Sequence, residues 1–288
     1  RSSDLRVRGT PPVEHGPASY REALAGSYNL AAVHVLERVG VPEVMEKLRL
    51  AGVGELVQSA EDYGLRLALG SARVRLLDLA AGYGFLVRGG LVRRPSGIAR
   101  MAFADGTTWT PPSEPDVRVF SKEASWLVMD MLADNEARRK VFGDELPADL
   151  PFKVAVKTGT ARGFSDVFAV FATREFTVAA WAGRFDGEPT AGVLGMDGAA
   201  PLARAGILLA GQGRPLTLPE APAGIVAVDV CPQSGQLPSP HCPHRVRDWF
   251  IRGTVPEKEC TLHVIRNGRP VADWPAEVKD WERRTAPQ

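Results

Sequence analysis

Lys153-Val154-Ala155-Val156-Lys157-Thr158-Gly159-Thr160 reads as a β-strand with one buried face, because Val154 and Val156 alternate with Lys153, Ala155 and Lys157. Two more apolar runs follow, Val167-Phe168-Ala169-Val170-Phe171-Ala172 and Phe176-Thr177-Val178-Ala179-Ala180-Trp181, with Thr173-Arg174-Glu175 as the turn between them. The spacing predicts a three-stranded meander with Lys157 near the end of its first strand. A Lys-Thr-Gly there presents an ammonium, a hydroxyl and a bare backbone edge to one cleft. Those groups suit holding a carboxylate and polarising a nearby serine. Taken by itself, Lys-Thr-Gly also serves as an ordinary exit from strand to turn.

Upstream, Arg1 to Ala18 is punctuated by Pro and Gly and reads as an extended lead-in. Ser19 with Glu22 has capping-box spacing for a short helix, Tyr20-Arg21-Glu22-Ala23-Leu24-Ala25. Gly26 interrupts it, and a second helix begins near Leu30 and stops at Gly40. Ser27 and Asn29 therefore lie at a helix start; taken alone they are a helix-capping pair. Val41 to Gly54 and Ala60 to Gly90 read as short helices. Gly82-Tyr83-Gly84 is no dinucleotide loop, since no strand precedes it and no third glycine follows. Leu91 to Pro115 is loop-like. Ser121 to Phe142 is helical, with Leu127, Val128, Met131 and Leu132 available for one face.

Downstream, Gly183 to Asp197 is a loop, and Gly198 to Ala210 a helix able to lie across the sheet. Residues 212–224 are a Pro-rich linker, separating 1–211 from a strand-and-turn region at 225–288. Asp273 to Gln288 is polar and is assigned no firm structure. His34 is a surface or packing histidine. Asp166, able to pair with Arg162 or Lys157, is turn chemistry.

With 288 residues and a formal charge of +1, from 35 basic and 34 acidic side chains, the chain carries no nucleic-acid footprint. No apolar run approaches the roughly 20 residues of a membrane span. No signal peptide is visible at Arg1-Ser2-Ser3-Asp4, and no initiating Met, so the chain reads as an internal piece of something longer.

Ser27-Tyr28-Asn29 opening a helix, together with Lys157-Thr158-Gly159-Thr160 on a strand, resembles the transpeptidase domain of the class A penicillin-binding proteins, of the 1C type. Tyr20 to Ala25, Tyr63-Gly64-Leu65-Arg66-Leu67-Ala68-Leu69-Gly70 and Leu77-Asp78-Leu79-Ala80-Ala81-Gly82-Tyr83 also resemble that family. The resemblance implies an α/β (α+β) fold of the penicillin-binding transpeptidase and β-lactamase kind. An antiparallel sheet with packed helices and an all-α lobe would precede the start of a small β-rich C-terminal domain. It further implies acyl-serine D,D-transpeptidation of peptidoglycan stem peptides, with β-lactams as inhibitors. Ser27, Asn29 and Lys157 would be catalytic, and Thr158, Gly159 and Thr160 would bind substrate. Thr158 and Thr160 would hold the terminal carboxylate. The strand edge beyond Gly159 would pair with the substrate backbone, with the Thr160 amide as an oxyanion donor. The implied setting is the periplasmic face of the inner membrane, with a glycosyltransferase domain, an anchor and other cell-wall synthesis proteins as partners.

One departure stands out. No serine in the chain has lysine three residues on, so the Ser-x-x-Lys nucleophile motif is missing. In the family it lies upstream of Ser-x-Asn and would fall before Arg1, with the first two strands of the sheet. The chain alone is expected to form no acyl-enzyme. The rivals are a non-catalytic module binding peptidoglycan or a partner, and a β-lactamase. The lack of a deacylating glutamate and the extra C-terminal region argue against the β-lactamase.

All three cysteines lie between Cys231 and Cys260, and an odd count excludes complete internal pairing. Cys231, His241, Cys242, His244, Cys260 and His263 cluster as Cys-x10-Cys and Cys-x2-His. Cys231, Cys242, Cys260 and His263 could hold a structural zinc, although the spacing fits no standard finger. The preferred reading is a disulfide, Cys242 to Cys260 or Cys231 to Cys242, as an exported protein allows, and no cofactor is expected.

Overall fold

The computed structural model describes residues 14–112 and 117–285. Ser19 caps α1 (Tyr20–Ala25): its hydroxyl accepts from the Glu22 amide, and the Glu22 carboxylate accepts from the Ser19 amide, as the spacing predicts. α2 (Asn29–Val39), α3 (Val41–Leu50) and α4 (Ala60–Tyr63) follow, then a 3-10 turn over Gly64–Leu69. Leu36, Met45, Tyr63 and Leu67 meet in one core, which makes this the all-α lobe. α5 (Leu76–Val87) contains Gly82-Tyr83-Gly84 within its turns. The stretch read as loop carries two small ribbons, β1 (Leu91–Val92) with β4 (Val117–Arg118) and β2 (Met101–Ala102) with β3 (Thr108–Trp109).

The helix expected over Ser121–Phe142 is two helices, α6 (Lys122–Leu132) and α7 (Asn135–Phe142). The Asp134 side chain accepts from the Ala137 amide, and this N-cap restarts the helix. The buried face of α6 is Ser125, Met129 and Leu132, so Leu127 and Met131 lie off its centre.

The meander forms as read: β5 (Ala155–Thr160), β6 (Asp166–Ala172) and β7 (Thr177–Gly183), antiparallel in that order. Val154, Ala155 and Val156 are 2%, 1% and 1% exposed, so the start of the strand is buried on both faces rather than one. On one face α8 (Ala199–Gly211) lays Ala199, Ala200, Ala203 and Ile207 against Val167, Ala169 and Phe171. On the other, Met129 and Leu132 of α6 cover Ala155 and Ala172. Ala155 and Lys157 share that second face by the period of the strand, and Lys157 lies where the apolar cover ends.

Residues 212–224 are fastened to the body. Leu216 is buried in the sheet core, Thr217 accepts from the Arg174 amide, and Trp126 Nε1 donates to the Pro219 carbonyl. Beyond them β8 (Ile225–Val230) pairs with β9 (Val246–Ile251), and β10 (His263–Arg266) with β11 (Arg269–Ala272). The last stretch, given no structure from sequence, folds as α9 (Ala276–Thr285). It buries no residue, so no apolar stripe announces it; Trp281 Nε1 donating to the Glu14 carbonyl and Arg284 pairing with Glu14 hold it in place.

Candidate active site

α1 ends in a tight turn that sets the first functional residue. The Ser27 amide donates to the Leu24 carbonyl and the Tyr28 amide to the Ala23 carbonyl, the bond pattern of a Schellman motif. Ser27 therefore occupies the left-handed position usually given to glycine, at φ 58°. The preceding residue must be glycine: a Cβ on Gly26 would stand 2.6 Å from the Tyr28 ring and 2.9 Å from the Glu22 carbonyl oxygen. Tyr28 is the N-cap of α2, without a side-chain cap bond, and its ring stacks on His15 at 3.7 Å between centroids. Neither Ser27 nor Asn29 caps α2.

From the sheet, Lys157 Nζ reaches Ser27 Oγ at 2.7 Å and the Thr158 carbonyl oxygen at 2.6 Å. Residues 130 positions apart thus meet in one cleft. Burial of the ammonium, with the Arg138 guanidinium as second cause, holds the Lys157 pKa down to about 8. Arg138 lies in α7, 1% exposed, and donates to the carbonyls of Leu132 and Val156 and to Asn135 Oδ1. Desolvation lowers its own pKa to about 10. Two cations thus stand beside the end of β5, a field that favours an anion.

The edge of β5 is open. The Ala161 amide donates to the Asp166 carbonyl, so alternation turns the amides of Thr158 and Thr160 away from β6. Thr160 Oγ1 accepts from the Gly195 amide at 3.1 Å. A Cβ on Gly195 would fall 2.6 Å from the Gly159 carbonyl oxygen, so only glycine lets the 184–198 loop lie this close to the strand. Of the residues singled out from sequence, Ser27, Lys157, Thr158, Gly159 and Thr160 gather here. Asn29 is exposed, and no hydrogen bond joins it to Ser27 or Lys157. His34 is a surface residue beside Glu37. Asp166 accepts from Trp181 Nε1 and Ser165 Oγ, not from Lys157; the Arg162 side chain lies outside the described residues. Sequence reasoning passed over Arg138, one of three consecutive basic residues, and Gly195, one of several loop glycines. No local signal separates either from its neighbours.

Away from this cleft, Cys231, Cys242, Cys260 and His263 converge, their ligand atoms all within 4.8 Å of one another. No disulfide is formed among them here: all three cysteines are free, and each sulfur stands beside His263 Nδ1. His241 and His244 are exposed and stand outside the group.

This sheet with helices on its two faces is the penicillin-binding transpeptidase fold. The penicillin binding protein transpeptidase domain family matches residues 7–204, and the chain belongs to it. Residues 221–265 match the C-terminal domain of penicillin-binding protein 1A. Penicillin-binding protein 1C of Escherichia coli is 32% identical over 263 residues, covering 89% of this chain and 32% of its own length. Penicillin-binding protein 1A of Clostridium perfringens is 28% identical over 269 residues, 86% of this chain and 31% of that protein. The chain thus spans about a third of the length of these relatives. Among solved structures, penicillin-binding protein 1A from Haemophilus influenzae superposes with a TM-score of 0.69 at 20% identity, over 85% of this chain and 41% of that one. PonA1 from Mycobacterium tuberculosis gives 0.57 at 21% identity, over 71% and 59%.

Proposed function

We propose that this chain carries the substrate-holding half of a peptidoglycan D,D-transpeptidase active site. The observation that carries the reading is the 2.7 Å contact between Lys157 Nζ and Ser27 Oγ beside an open strand edge. An extended stem peptide adds to β5 through the Thr158 and Thr160 amides, and its terminal carboxylate sits by Thr158, Thr160 and the Lys157 charge. Ser27, its hydroxyl bonded to an amine with a pKa of about 8, relays a proton toward the leaving nitrogen. Asn29, at the rim, contacts the acyl side chain. The Thr160 amide, turned outward, is one oxyanion donor.

The nucleophile is not among these 288 residues, since no Ser-x-x-Lys occurs in them. Acylation therefore requires a serine from outside them, in a bifunctional synthase whose glycosyltransferase domain and anchor also lie elsewhere. Such a synthase works at the periplasmic face of the inner membrane, beside other cell-wall synthesis proteins; no helix of the described residues is itself long and apolar enough to cross a membrane. The missing motif also favours a second reading, a module that binds stem peptides without turnover.

One experiment tests both parts. The 288-residue chain is titrated with a peptide ending in D-Ala-D-Ala and separately incubated with a β-lactam for intact-mass measurement. Binding that Lys157→Ala weakens at least about tenfold, from loss of a charge-assisted carboxylate bond, supports the site. No β-lactam mass increment is expected. A covalent adduct would overturn the missing-nucleophile claim, and binding indifferent to Lys157→Ala would overturn the site.

A further inference from the structure

The C-terminal region has almost no apolar core. Between residues 221 and 285 the buried residues are Val230, Cys231, Ser239, Cys260 and His263. β8–β9 and β10–β11 are separate two-stranded sheets, and the segments that connect their strands meet in a short bridge between Leu237 and Glu259. Isolated hairpins are marginal in water, and a unit this small normally needs a disulfide or a metal. What occupies its centre is three sulfurs and an imidazole.

Their geometry is that of a coordination shell. His263 Nδ1 stands 3.6 Å from Cys231 Sγ, 3.5 Å from Cys242 Sγ and 3.4 Å from Cys260 Sγ. A tetrahedral zinc with its usual bond lengths sets sulfur and nitrogen ligands about 3.6 Å apart. Hydrogen bonding does not account for the arrangement, because one ring nitrogen has a single proton or a single lone pair to share among three thiols. The other ring nitrogen settles which: His263 Nε2 lies 2.7 Å from Gln233 Oε1, an acceptor, so Nε2 carries the proton and the Nδ1 lone pair faces the sulfurs. That outer-shell bond is the usual way a ligating histidine is oriented.

We infer that Cys231, Cys242, Cys260 and His263 form a structural zinc site. Cys231 directly follows β8, Cys242 lies in the connection to β9, Cys260 follows β9, and His263 opens β10. One ion therefore ties both hairpins together and supplies the core that the side chains do not. Three thiolates favour a soft borderline ion over magnesium or calcium, and four protein ligands leave no open position for catalysis.

The test uses the full 288-residue chain, purified without a polyhistidine tag. Elemental analysis is expected to find about one zinc per chain, and titratable thiols to number three only after chelation under denaturing conditions. Replacing zinc by cobalt should give the thiolate charge-transfer and ligand-field bands of tetrahedral Co(II). Gln233→Ala should keep the stoichiometry while weakening zinc affinity roughly 10- to 100-fold. Cys260→Ser should abolish the cobalt spectrum; because that variant can also unfold, the spectrum of the unaltered chain is the deciding measurement. A chain that holds no metal and shows three reactive thiols overturns the inference. So does one in which only a single thiol titrates after denaturation, the mark of a disulfide.

Discussion

At the cleft, Lys157 is held in a state its neighbours oppose. Its pKa in the folded chain is about 8 against an ordinary 10.5. Between those values the unfolded chain binds a proton that the folded chain has released, so stability rises with pH across the window, by up to about 3 kcal/mol. Lys157→Met, of similar length and uncharged, is therefore expected to be more stable than the parent at pH 7. The difference should shrink above pH 8 and be nearly gone by about pH 11, as read from urea unfolding at a series of pH values. A constant difference would mean that the lysine is not desolvated. The same residue was legible from sequence, because Lys-Thr-Gly on a strand and Ser-Tyr-Asn at a helix start are spaced units with shared chemistry. Ser27 was legible only as a position. Its left-handed backbone follows from the Schellman turn, and serine is not the residue that advertises one.

Among the elements, α7 and β5 are joined by one buried guanidinium. Arg138→Met would leave the Leu132 and Val156 carbonyls without their donor, and these are buried groups. Relief of the buried charge offsets part of this, and the net cost is expected to be about 2 kcal/mol. The sharper readout is Lys157, whose pKa should rise when the neighbouring cation goes, measured by titration of its NMR signal. A destabilised chain with Lys157 unmoved would make Arg138 a packing residue only. α2 was readable from sequence by its helical period, and the central strands and α8 by apolar runs bounded by short turns and glycines. α9 was not, since Val278 and Trp281 are its only large apolar residues and it rests on contacts with Glu14, 267 positions away. The break between α6 and α7 was missed for another reason: Asp134 continues a helical pattern in composition while its side chain caps the start of a new helix.

The whole molecule is held together beside the site. Arg21 of α1 donates to Asp130 at 2.8 Å and to Asp248 of β9 at 2.7 Å, and Trp249 meets Trp126 edge-on at 5.6 Å. Hydrogen exchange of the double variant Asp248→Ala, Trp249→Ala should show β8 and β9 losing protection while β5 to β7 keep theirs. Equal loss in both would mean a single cooperative unit. From sequence, residues 212–224 read as a linker on proline content alone. Composition does not reveal that Leu216 is buried, or that Thr217 and Pro219 are hydrogen-bonded to the sheet turn and α6.

The Arg21 clasp also has a mechanical side. α1 is one short rigid rod, fixed near its first residue to the C-terminal hairpin and carrying Ser27 just past its last. Six residues of helix span about 9 Å, so a tilt of about 5° about Arg21 swings Ser27 by roughly 0.8 Å. That is enough to part a hydrogen bond of 2.7 Å. Load applied to the C-terminal hairpin thus has a short, stiff path to the hydroxyl in the cleft.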